Sequence, residues 1–81
     1  MSYRIKLESS ALAKLGNFPS DALAALVERS ATLVDEPWDA SALYPGRSDY
    51  RETTFGAVGI MRFLVDEDAE LIRVYEIVWA G

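Results

Sequence analysis

Three stretches rich in Val, Ile, Phe, Tyr and Trp follow one another between Tyr50 and Trp79, and they constrain the fold more than anything before them. They are Tyr50–Phe55, Ala57–Val65 and Leu71–Trp79, divided by Gly56 and by the polar run Asp66-Glu67-Asp68. Such side chains suit a pleated, half-buried surface, so the spacing predicts three consecutive strands. A tight turn at Glu67-Asp68, or a four-residue loop from Asp66 to Ala69, sets Leu64 opposite Leu71 and Arg62 opposite Arg73. Alternation then assigns Ala57, Met61, Phe63, Val65, Ile72, Val74 and Val78 to a core face. The other face takes Val58, Ile60, Arg62, Leu64, Leu71, Arg73, Tyr75, Ile77 and Trp79.

A two-residue turn at Phe55-Gly56 or Gly56-Ala57 adds Arg51 to the face of Arg62. Arg51, Arg62 and Arg73 then form a row across three neighbouring strands. Like charges facing each other across a ladder are destabilising, so the row implies a counter-charge: an acidic partner or a phosphate. The plainer reading is a solvated face whose arginines discourage aggregation. Glu52 and Glu76 fall on the core face in this register, a misfit met by a rim position or a helix cation. A bulge in either hairpin would reshuffle the faces.

Upstream, Tyr3-Arg4-Ile5-Lys6-Leu7 alternates as a first strand, with Tyr3, Ile5 and Leu7 facing the core. If it joins the same sheet, Arg4 and Lys6 bring five of the eight basic residues onto the arginine face. Ser9 or Ser10 caps a short helix, Ala11 to Leu15, that Gly16 ends. Pro19-Ser20-Asp21 opens a longer helix with an apolar stripe of Leu23, Leu26, Val27, Ala31 and Val34. Pro37 sets its end near Asp35. Trp38 to Ser48 reads as a loop with a Pro45-Gly46 turn, pinned by Trp38, Leu43 and Tyr44. The expected fold class is α+β, in the order β-α-α-β-β-β. It is an antiparallel sheet with a two-helix hairpin packed on one face, a single domain over residues 1–81.

The chain has no Cys and no His, which removes disulfides, thiolate chemistry, the usual zinc sites and the commonest general base. Asp66-Glu67-Asp68 reads as a solvated turn in preference to a metal site, and no nucleotide-binding or nucleophile motif occurs. No metal and no cofactor is expected. Nothing resembles a signal peptide and no apolar run approaches about 18 residues, so no membrane association and a cytoplasmic location are expected. Net charge is −5, the wrong overall sign for a nucleic-acid binder, although the acids cluster at Asp35-Glu36, Asp39 and Asp66 to Glu70. Tyr75 and Trp79 interleaved with cations suit a base-stacking platform, and equally a protein interface. Ile60, Leu64, Leu71 and Ile77 left in water on that face favour a bound partner.

The element order and several short motifs together resemble the RelE/ParE superfamily of toxins from type II toxin–antitoxin systems. The motifs are Tyr3-Arg4-Ile5, Phe18-Pro19, Pro37, Leu43, Arg51 five residues before Gly56, Ile60-Met61-Arg62-Phe63 with Val65-Asp66, and Ile72-Arg73-Val74 with Ile77. The resemblance implies an antitoxin protein as partner and, in the ribonuclease branch, cleavage of messenger RNA on the ribosome. By position it implies Arg51, Arg62 and Arg73 as the phosphate-stabilising set, acting by electrostatic preorganisation. It implies Tyr75 as a stacking or proton-transfer group. If the face is RNA-binding, Arg4 and Lys6 of the basic surface and Trp79 of the aromatic set are the expected RNA contacts. The chain departs from the family where Gly56-Ala57-Val58-Gly59 replaces a Gly-x-Tyr-Arg motif, and where Trp79-Ala80-Gly81 replaces a basic end. The rival reading is a non-enzymatic interaction module, a homodimer or an antitoxin-binding protein without catalysis.

Overall fold

The computed structural model describes residues 2–81. The chain runs β1 (Arg4–Leu7), α1 (Ser9–Leu12), a 3-10 turn (Leu15–Asn17), α2 (Ser20–Leu33), β2 (Ser41–Tyr44), β3 (Arg47–Phe55), β4 (Gly59–Asp66) and β5 (Leu71–Trp79). The strands form one sheet in the order β1-β5-β4-β3-β2. The helices cover one face and leave the other open.

Three features differ from the sequence reading. The segment read as a loop contains β2, which pairs antiparallel with β3 at the sheet edge. The Pro45-Gly46 turn is where the sequence placed it, and Gly46 supplies the required positive φ of 77°. Secondly, β1 pairs in parallel with β5, so the sheet is mixed. Thirdly, α2 buries Ala22, Leu26 and Leu33, while Leu23 and Val27 face outward, Val27 at 70% exposure. The cause is close approach. A Cβ built on Gly56 would lie 3.1 Å from that of Ala25, so the helix turns its small residues to the sheet.

The two hairpin turns decide which side chain goes where. The β3–β4 loop has three residues, Gly56, Ala57 and Val58, because Phe55 pairs with Gly59. An odd loop reverses the parity expected from a two-residue turn. The β4–β5 loop has four, Glu67 to Glu70, closed by Ala69 N–H donating to Asp66 Oδ1 at 3.1 Å and by Glu70 at φ 53°. That sets Leu64 opposite Arg73, two residues from the expected register but with the same facing. Then the ladder slips: Phe63 pairs with Val74, whereas Arg62 pairs with Glu76. Tyr75 is the extra residue of a β-bulge, and beyond it β5 turns over.

The core is consequently Phe55, Met61, Phe63, Val65, Ile72, Val74 and Ile77 from the sheet, with Ala11, Leu26 and Leu33 from the helices. Ala57 and Val78, both expected inside, are exposed. Ile77 and Trp79, both expected outside, turn to the helix side, where Trp79 packs on Phe55 with ring centroids 5.6 Å apart.

Gly56 is the position most sensitive to a side chain. Its φ is 61°, and an added Cβ would meet the Trp79 ring at 3.0 Å as well as Ala25. Gly56→Ala is expected to lower stability by about 1–3 kcal/mol in urea unfolding. Gly16→Ala, with open space around the new methyl group, is expected to show no loss.

Candidate functional site

The open face carries most of the polar side chains singled out from the sequence, but not as a row of free guanidinium groups. Arg62 lies between two carboxylates: its Nε donates to Glu52 Oε2 at 2.7 Å and its Nη1 to Glu76 Oε1 at 2.9 Å. The strands supply this geometry, since Glu52 and Glu76 are the cross-strand partners of Arg62 on either side. The hydrogen bond that Arg62 donates to Glu52, then that to Glu76, holds its pKa above the ordinary value.

Arg73 is also flanked by acids, more loosely. Its Nη1 is 3.6 Å from Glu8 Oε1 and its Nε is 3.6 Å from Asp66 Oδ2. Lys6 stands beside Arg73 and Arg4 beside Leu71 in the parallel β1–β5 register, so both β1 cations reach the open face as expected.

Arg51 does not belong to this face. The three-residue β3–β4 loop pairs it with buried Phe63, and its side chain turns toward the helix side. There it donates to the carbonyl oxygens of Ser48 (2.9 Å) and Ala40 (2.5 Å), with its guanidinium 5.4 Å from the Trp38 ring. It pins the segment joining α2 to β2. Arg29 does the same work from α2, binding Thr53 Oγ1 at 2.7 Å and Asp39 Oδ2 at 3.1 Å. Three guanidinium groups side by side, as the sequence predicted, are therefore not present. Trp79 is likewise removed from the set, because the bulge turns it under the sheet.

Tyr75 stands on the open face, where three tyrosines meet. The Tyr44 and Tyr50 rings are 5.6 Å apart and the Tyr50 and Tyr75 rings 6.1 Å apart, each pair edge to face. With Leu64, Arg73 and Glu8 they line a shallow groove of about 320 Å³. Arg47 stacks over Tyr50 at 4.7 Å and is itself held by Asp49 through two hydrogen bonds of 3.1 Å. The bond to Arg47 keeps the Asp49 carboxyl below its usual range. The Tyr75 hydroxyl is buried with no hydrogen-bond partner, and desolvation, with smaller contributions from Tyr44, Tyr50 and Glu76, raises its pKa.

Sequence reasoning placed Arg73 and Tyr75 on one face. It missed the groove, because Tyr44 was read as a loop anchor and the wrong parity hid Tyr50. It also missed Glu8, Glu52 and Glu76 as counter-charges. The signal for two of these was already visible, in the misfit of Glu52 and Glu76 on an apolar face. Among the described residues, no group of three or more acidic side chains converges to hold a metal. None of the described helices is long and apolar enough to cross a membrane.

No family model matches the sequence, and no curated protein matches it. Solved structures do match the fold. A chain of the toxin–antitoxin complex RelBE2 from Mycobacterium tuberculosis superposes with a TM-score of 0.84 at 17% identity, covering 98% of this chain and 99% of that one. A mutant of E. coli toxin RelE in the free state gives 0.83 at 17% identity, with coverage of 100% and 86%. The archaeal RelE–RelB complex from Pyrococcus horikoshii gives 0.77 at 20% identity, with coverage of 100% and 98%. The fold is RelE-like.

Tyr75 offers a direct check of the groove. A phenol with a raised pKa favours the folded state at neutral pH, and that contribution disappears as pH rises through its folded pKa. In an alkaline absorbance titration, Tyr75→Phe is expected to remove a late-ionising phenol; Tyr3, also raised, is the other late one. Loss of an early-ionising phenol instead would show that Tyr75 is open to water.

Proposed function

We propose that this chain is a RelE-like toxin of a toxin–antitoxin pair, held inactive by a RelB-type antitoxin, with the open sheet face as its target-facing surface. The observation that carries the reading is the likeness to free and antitoxin-bound RelE across nearly the whole of both chains. Single-stranded RNA is the target class that best suits the face. Tyrosine rings for base stacking line a groove with Arg73 on its rim and Lys6 next to it.

The finer form of this reading is an endoribonuclease acting on messenger RNA at the ribosome. Arg73 then stabilises charge on the scissile phosphate, and Tyr75 is the adjacent stacking or proton-transfer group. A phenol with a raised pKa stays protonated at neutral pH, which suits a proton donor better than a base. Arg62 joins only when its carboxylates are displaced, and Arg51 contributes stability alone.

One observation favours a second reading, a partner-binding module without catalysis. Both open-face arginines of β4 and β5 are already neutralised by acids within the chain. Homodimerisation through the same face is one form of it, tested by light scattering across a concentration series.

Expression without a partner is expected to arrest growth, and co-expression of an antitoxin encoded beside the gene to relieve the arrest. Arg73→Ala and Tyr75→Phe are expected to relieve it with the fold intact, whereas Arg51→Ala acts through lowered stability. Primer extension on cellular messenger RNA separates the readings. New 5′ ends support the nuclease. Arrest without new ends supports the binding module, and arrest undiminished by Arg73→Ala with Tyr75→Phe rejects the groove as the active surface.

A further inference from the structure

Arg62 is held by partners that the strand geometry brings there at some expense in regularity. In an unbulged β5 the side chain of Glu76 would point to the helices; the extra residue Tyr75 turns it to the open face, directly across from Arg62. Glu52 arrives from the other side through the three-residue β3–β4 loop. The resulting ion pairs, 2.7 Å to Nε and 2.9 Å to Nη1, take up both sides of the guanidinium. All three side chains keep between a third and two fifths of their surface in solvent, so a ligand can reach the row without unfolding the sheet.

A guanidinium fork donates to carboxylate and phosphate oxygens in the same geometry. We infer that Glu52 and Glu76 occupy, from within the chain, an anion site at Arg62, and that this contact is autoinhibitory toward the phosphodiester groups of single-stranded RNA. The inference rests on the reading of the open face as RNA-facing. A phosphate gains Arg62 only by parting it from two carboxylates, which then repel the phosphate. Arg73, at 3.6 Å from each of its acids, is the cation available first; Arg62 is the gated one.

The test is the isosteric pair Glu52→Gln with Glu76→Gln, titrated with a fluorescent single-stranded oligoribonucleotide by anisotropy over a salt series. Affinity is expected to rise roughly tenfold at low salt, the scale of one charge-assisted hydrogen-bonded contact. The salt dependence is expected to steepen by about 0.7, one phosphate contact on a single strand. Glu76→Gln alone is expected to fall between, and serves if the pair does not fold. Adding Arg62→Ala to the pair is expected to return affinity to that of the unaltered protein. Glu28→Gln with Glu36→Gln makes the same change in net charge away from the open face and is expected to have little effect.

The inference is overturned by a folded variant that binds no more tightly, by a gain that survives Arg62→Ala, or by an equal gain from Glu28→Gln with Glu36→Gln. Growth arrest by the unaltered protein is a separate readout. Arrest combined with unchanged RNA affinity in the glutamine variants rejects the clamp and leaves the toxin reading standing.

Discussion

One extra residue in β5 governs the arrangement of this molecule. Val74 and Ile77 are both fully buried, yet they are three positions apart, and strict alternation cannot send both to one face. The bulge at Tyr75 resolves the conflict. It keeps Ile72, Val74, Ile77 and Trp79 on the helix side while Arg73, Tyr75 and Glu76 stand on the open side. Without it, the Glu76 carboxylate would have to be buried beside Met61 and Phe63, at a desolvation penalty of several kcal/mol for an unpaired ion. The local irregularity is the less costly solution, and it sets Glu76 against Arg62 on the open face.

Parity also decides how much of the molecule was legible in the sequence. The Val, Ile and aromatic content of residues 50–79 located β5 to the residue, β4 to within two residues and the end of β3, which starts three residues earlier at Arg47; the Pro19-Ser20-Asp21 start located α2. Element type follows from composition and punctuation, which are local. Facing is different, because it depends on parity, and a single residue gained in a loop or a bulge inverts it. Gly56 to Gly59 gave no indication of a three-residue loop, so Arg51 was assigned to the wrong side. The β5 sequence did carry the sign, since the apolar positions Ile72, Val74, Ile77 and Trp79 break step between Val74 and Ile77. The parallel pairing of β1 with β5 and the edge strand β2 were hidden for another reason: both are set by non-local pairing. The orientation of α2 was hidden too, because close packing of Ala25 on Gly56 outweighed the larger side chains of Leu23 and Val27.

The electrostatics of the open face follow from that parity. Ion pairs as open to solvent as those of Arg62 with Glu52 and Glu76 contribute little to stability, because solvent screens them. Their larger effect is on the potential the face presents. A free row of three guanidinium groups would attract any polyanion; arginines paired with acids attract one only through the contacts that outcompete those acids. The protein as a whole carries a net charge of −5, so long-range attraction to nucleic acid is absent as well. On the proposed reading of this face, recognition would come from contact: ring stacking in the groove, apolar burial at Ile60 and Val78, and exchange of ion-pair partners.

Fold and site are separable here for a physical reason. An α+β core of this kind asks only that certain positions be apolar and that Gly56 and Ala25 stay small, conditions many sequences satisfy. A TM-score of 0.84 at 17% identity is what such tolerance produces. The open face has no such tolerance. Its chemistry is set by which side chains share a face and what stands beside each cation, and one glutamate opposite Arg62 changes that chemistry without disturbing the core. Likeness of backbone thus carries the fold across this distance in sequence, while the Glu52–Arg62–Glu76 row has to be read from this chain's own side chains.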